Sequence, residues 1–142
     1  MTRIQWAPGI AVEVRRAAAG LVRRWSHLLP DWCALLSLDY RQDAELGTEA
    51  MGACSADTDH NCADLFLLGA WLEEDADRRE WVIVHELSHV EVAPMANWTD
   101  QLIETMTDGP AKTLLREQWK STCERVVSDL SYIHLRNRAK AA

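Results

Sequence analysis

The sequence predicts an α+β fold in a single domain over residues 1–142: an N-terminal helix, a small sheet of about three strands, then a helical C-terminal half. Three observations carry that prediction. Apolar residues recur at helical spacing over 10–29 and again beyond 78. Between these stretches lie three short apolar segments separated by polar turns. No repeat, low-complexity tract or linker divides the 142 residues, a length that buries roughly 68–70% of its unfolded surface and needs no disulfide staples.

Taken in order, Ile10, Val14, Ala17, Ala18, Leu21, Val22, Trp25, Leu28 and Leu29 recur at the helical spacing of the first helix, which Pro8 and Gly9 precede and Pro30 stops. Arg15, Arg16, Arg23 and Arg24 fall mainly on its polar side. Residues 34–40 are short, apolar and partly alternating, the pattern of a strand. A polar connection over 41–49 follows. Residues 50–54 form a second strand of weak propensity because of Gly52. Residues 57–61 are rich in side chains that favour tight reversal, and a third strand covers 63–71. Asp75 or Asp77 caps a helix over 78–92 that is expected to end before Pro94. A shorter helix over 98–107 is broken at Asp108, Gly109 and Pro110. The last helix starts at Pro110, a favoured first-turn residue, with Leu115, Trp119, Cys123, Val126, Leu130 and Ile133 on one face.

Composition narrows the function. Twenty-two acidic against 15 basic side chains give a net charge of −7, which argues against nucleic acid as the main partner. No stretch approaches the roughly 18 consecutive apolar residues of a membrane span. Glu13, Arg15 and Arg16 stand where a signal peptide would carry its apolar core, so a cytoplasmic protein is expected. The four cysteines, Cys33, Cys54, Cys62 and Cys123, contain no CxxC pair and read as small buried apolar residues. Cys54, His60 and Cys62 surround an acidic turn, but a zinc site there needs Asp57 or Asp59 as well, and the spacing matches no zinc ribbon.

The informative segment is His85-Glu86-Leu87-Ser88-His89, an HExxH motif. Two histidines four apart on a helix project from one side, where both imidazoles can hold one zinc ion. Glu86 between them reaches a water whose pKa zinc lowers to about 7, removes its proton as it attacks a carbonyl, and passes that proton to the leaving amine. Trp81, Val82, Ile83 and Val84 just before the motif are apolar, so the helix is expected to be buried around it.

On residues Val84-His85-Glu86-Leu87-Ser88-His89-Val90 the chain resembles the zincin metallopeptidases, in particular small single-domain gluzincin-like proteins of phages and bacteria. The likeness runs over about residues 63–135, through strand, charged turn, HExxH helix and a later helix bearing glutamate. It implies a minimal zincin-like fold, Zn²⁺ as cofactor, a peptide or protein as substrate, Glu86 as general base, and hydrolysis of peptide bonds. It also implies an extended substrate paired to the edge of the strand before the active-site helix, here 63–72. Metzincins continue the motif to a third histidine; Val92 and Met95 stand at the corresponding positions and exclude that branch.

In gluzincins a glutamate on a downstream helix completes the ligand set, which makes Glu91, Glu104, Glu117 and Glu124 the candidates. Glu91 lies two residues beyond His89 and points to another side of the same helix. Glu104 loosely echoes an ExxSD pattern, with Asp108 as a partner for a histidine. Glu124 lies about 130° from the centre of its helix's apolar face and Glu104 about 165° from its own, so neither sits in a core stripe. Glu124 borders Val127 and Ser131, and helix length and orientation favour it over Glu104. For the oxyanion, Tyr132 and His134 are available, roughly 12–15 Å along the helix axis from Glu124. His27 and His60 read as surface or capping residues. Trp71, Trp81, Trp98 and Trp119 read as core, with Trp98 also placed to line a cleft. The alternative to a peptidase is a zincin-fold module that binds metal or a protein partner without turnover; retention of Glu86 argues for the enzyme.

Overall fold

The structure of the protein, a computed structural model, describes residues 1–42 and 50–141. Strand β1 (Arg3–Trp6) leads into helix α1 (Val12–Trp25), and a 3-10 turn at Ser26–Leu28 precedes β2 (Leu35–Arg41). Strands β3 (Gly52–Asp57) and β4 (Cys62–Leu68) follow, then a second 3-10 turn at Gly69–Glu73. Two long helices complete the chain, α2 (Ala76–Glu104) and α3 (Pro110–Ala141). The fold is α+β. The polar connection expected over 41–49 falls, from residue 43 on, outside the described residues.

Among the described residues the sheet has four strands in the order β1-β2-β4-β3, one more than the sequence predicts. Strand β1 spans four residues of alternating partial exposure, too short to stand out as a periodic segment. It pairs parallel to β2, with α1 as the crossover that parallel neighbours require. Strands β2 and β4 are also parallel, and β3 folds back antiparallel on β4 through the 58–61 turn, where Asn61 takes a positive φ of 56°. Strand β4 therefore lies inside the sheet, paired on both sides. The expected edge over 63–72 does not exist, and the chain from Gly69 onward has left the sheet. Beside α2, the strand with no second strand partner among the described residues is β3.

One apolar core joins these layers. Helix α1 contributes Val14, Ala18, Val22 and Trp25, four positions on one face. The sheet contributes Leu36, Leu38, Leu65 and Leu67, and α2 contributes Val82, Ile83, Val84, Leu87 and Val90. Glu80 is also buried. Its Oε1 accepts from Trp25 Nε1 at 2.7 Å, from Arg24 at 3.1 Å, and from Arg138, so one carboxylate ties α1, α2 and α3 together. Trp71 is fully buried, as expected.

Helix α2 corrects the expectation of two helices with a break at Pro94. It runs unbroken for 29 residues with Pro94 inside it. An internal proline costs about 3 kcal/mol through the lost amide donor and a clash with the preceding turn. Packing on both sides of Pro94 offsets that cost: Val90 and Ala93 are buried before it and Ile103 after it, and Asn97 Nδ2 donates to the Ala56 carbonyl at 3.0 Å. Asp75 is the N-cap, accepting from the Arg78 amide at 2.8 Å. No helix is long and apolar enough to cross a membrane among the described residues.

Candidate metal centre

Because α2 is a regular helix through the motif, His85 and His89 present their rings on the same side, with centroids 4.9 Å apart and planes at 82°. Helix α3 packs across them. Its Glu124 places Oε2 3.4 Å from His85 Nε2 and Oε1 3.3 Å from His89 Nε2. Among the described residues this is the one group of three metal-ligating side chains whose donor atoms lie together, all within 4.8 Å of one another. Burial holds both histidines below the usual imidazole value, with each other's charge adding to the effect at His85, so both favour the neutral, metal-ligating form. Two neutral imidazoles and a carboxylate are a donor set that could hold a divalent ion.

Ligand histidines usually donate their second ring N–H to an acceptor. His85 Nδ1 is buried and has no partner among the described residues. The ring is instead held by a face: Trp81 stacks on it at 4.7 Å with an interplanar angle of 23°. The Arg78 guanidinium covers the Trp81 ring in turn, 4.5 Å from its centroid. Arg78, Trp81 and His85 thus form a stacked column along one face of α2.

Glu86 points from α2 towards the start of β3. It is 5% exposed, and burial, followed by the charge of Glu124, pushes its carboxyl up to about 8. Its neighbour there is Gly52. A Cβ at position 52 would stand 2.7 Å from Glu86 Oε1 and 2.9 Å from Val82 Cγ1, so only glycine lets the strand come this close.

The site lies in a cleft between β3 and α3 with α2 as its floor. One lobe, of about 520 Å³, is lined by Met51, Gly52, Arg78, Trp81 and Lys120 beside His85 and Glu86. The other, of about 330 Å³, is lined by Ala56, Asn97, Asp100, Arg116 and Trp119 beside His89. Cys54, His89, Lys120 and Glu124 border both lobes.

Other expected residues lie elsewhere. Glu104 is engaged by Lys112 at 3.2 Å and by Arg116, at the far end of the α2–α3 pair. His134 pairs with Glu91 at 3.0 Å, and Tyr132 is 62% exposed beside Trp81; neither lines the cleft. Distance along α3 and the helix's rotation carry both away from Glu124. Trp98 is 64% exposed outside both lobes; Trp119 is a half-buried cleft wall, and Trp81 both packs against the core and lines the cleft. Cys54 and Cys62 sit on different strands and His60 turns to Asp57 at 2.8 Å, so these three do not assemble. Cys33 alone of the four cysteines is fully buried. The sequence marks Gly52 only as a weak point of a strand and does not single out Arg78 or Lys120. The spacing of Arg78, Trp81 and His85 (i, i+3, i+7) was a visible signal for the stacked column. Comparison with protein-family models, with curated proteins and with solved structures finds no match for this chain.

Proposed function

We propose that the protein is a zinc-dependent peptidase in which His85, His89 and Glu124 hold the ion and Glu86 is the general base. The observation that carries this reading is the convergence of Glu124, from α3, on the two histidines of α2 with Glu86 buried alongside. Two histidines and one glutamate are the donor set of a class of catalytic zinc sites that keep a position open. When bound, zinc supplies Lewis acidity towards a carbonyl oxygen and lowers the pKa of a water to about 7.

The chain's own residues do the rest. Glu86, buried beside the two histidines, accepts the proton of the attacking water and delivers it to the departing amine. The outer edge of β3, beside Glu86, offers backbone amides and carbonyls to an extended peptide, the role the sequence reading gave to the strand now found inside the sheet. Helix α3 closes the opposite wall.

The test is elemental analysis of protein purified without a metal-affinity tag, followed by peptidase assay. Wild type is expected to carry about one zinc per chain, Glu104→Ala to keep it and Glu124→Ala to lose it. Glu86→Gln is expected to keep zinc and to lose hydrolysis by at least about 100-fold, the scale of a general base. A wild type that takes up no zinc on reconstitution refutes the proposal. Zinc bound without hydrolysis of any peptide leaves a metal-binding module and refutes the enzyme.

A further inference from the structure

The cleft's charge does not follow that of the chain. The protein carries −7 overall, yet the larger lobe has two cations, Arg78 and Lys120, and its acids among the described residues are Glu86 and Glu124, both already part of the site. Neither cation forms an ion pair among the described residues. At physiological salt charges are screened over about 8 Å, so a group bound inside the lobe interacts chiefly with the charges that line it.

Of the two, Arg78 is the one held in place. Its backbone amide is fixed by the Asp75 cap, and its guanidinium lies over Trp81, which also stacks on the His85 ring. Cation–π stacking leaves the guanidinium edge, with its forked donors, free to face a carboxylate. Two stacked spacings separate that edge from His85. An extended peptide advances about 3.3 Å per residue, so the same span is two to three residues of substrate.

We propose, on the peptidase reading, that Arg78 is a specificity-determining residue: it selects an aspartate or glutamate side chain two to three residues from the bond that is cleaved, with Lys120 reinforcing the same lobe. The substrate class is then an extended peptide with an acidic residue on one flank of the scissile bond.

The probes are ten-residue peptides of Ala, Thr, Val and Leu carrying a single Asp, Asn or Lys, scanned through the positions. Cleavage by the zinc-loaded chain is read by mass spectrometry, and affinity for the Glu86→Gln chain by fluorescence anisotropy of labelled peptides. The expected result is an Asp-over-Asn preference of about two- to fivefold in kcat/KM and in Kd at one position, as for a partly exposed ion pair. Arg78→Glu should reverse the preference to Lys, and Arg78→Lys should keep its sign. Both variants leave the backbone cap intact, and an acidic side chain in a helix's first turn is favourable, so Arg78→Glu is expected to fold. Hydrolysis or binding indifferent to charge, or a preference that Arg78→Glu does not alter, overturns the inference while leaving the peptidase standing. An Asp preference in Kd that Arg78→Glu reverses, without hydrolysis, supports the selectivity and overturns the peptidase alone. No binding of any peptide in either form overturns the inference.

Discussion

Substituting Gly52 with alanine tests how the strand and the helix share Glu86. The added Cβ would meet Glu86 Oε1 at 2.7 Å, Glu86 Cγ at 2.8 Å and Val82 Cγ1 at 2.9 Å. All three belong to side chains packed between β3 and α2, with Glu86 5% and Val82 2% exposed, so neither moves aside freely. Forcing a methyl into a filled site costs about 1–3 kcal/mol. Gly52 needs no left-handed backbone, so the substitution also restricts the unfolded chain, which favours the folded state by about 0.4–1 kcal/mol. The packing cost is the larger, and Gly52→Ala should lose about 1–2 kcal/mol, a fall in Tm of roughly 3–8 °C. Urea unfolding should show a lower midpoint at unchanged m. Gly20→Ala is the comparison, because a Cβ there has nothing within 4 Å on the exposed side of helix α1 and should gain about 0.5–1 kcal/mol. On the peptidase reading, Gly52→Ala keeps its zinc and loses turnover, since the displaced group is the base and not a ligand. A Gly52→Ala protein as stable as wild type, with unchanged hydrolysis, would refute the reasoning from contact distance.

Three further perturbations follow from the packing. Glu80→Ala leaves the buried Trp25 N–H without its acceptor and should cost about 1–3 kcal/mol by urea unfolding, with faster amide exchange near Arg138 as α3 loses its tie to α1; unchanged stability counts against the network. Pro94→Ala restores an amide inside α2 and should stabilise by about 1–3 kcal/mol in thermal unfolding, whereas a loss of stability would mean that the proline fits its turn better than alanine does. The Asp57–His60 pair titrates on both sides: hydrogen bonding to Asp57 holds His60 above its usual value, and the same bond holds Asp57 below its own. The pair is complete above the ordinary carboxylate pKa and below the ordinary imidazole pKa. It weakens as pH rises through the raised His60 value, or falls through the lowered Asp57 value. In NMR titration, Asp57→Asn should bring His60 back towards the ordinary imidazole pKa; no change would remove Asp57 as the cause.

The elements most legible in the sequence were those with a full local period. Helix α1, the HExxH turn of α2 and the Pro110 start of α3 each declared themselves through spacing or capping. What escaped was set by partners distant in the chain. Arg3–Trp6 is a strand because β2 is there to pair with it, and four residues carry no period of their own. Strand β4 read as an edge because strand order is a long-range property; only the return of β3 onto its outer side buries it. Pro94 read as a terminator because local rules omit what Asn97 and Ile103 contribute on its far side. Spacing brought out His85, Glu86 and His89, while choosing between Glu104 and Glu124 required the packing of α3 on α2. Gly52 illustrates the converse: a residue that looked like a weak point of a strand is the opening through which Glu86 reaches its place.

The donor groups sit on the two arms of a helical hairpin, histidines on α2 and Glu124 on α3, and that division makes any bound ion a clasp between the arms. Its apparent affinity is the intrinsic affinity scaled by the fraction of molecules whose arms are closed. Free ion at 100 times Kd would in return hold the arms together by about 2.7 kcal/mol. The hinge end of the hairpin is fastened by Lys112, which bonds Asp108 at 3.0 Å and Glu104 at 3.2 Å. On the metal-binding reading, loosening that fastening is expected to lower the fraction of closed hairpins and with it the apparent affinity for the ion, although every candidate ligand is still in the chain.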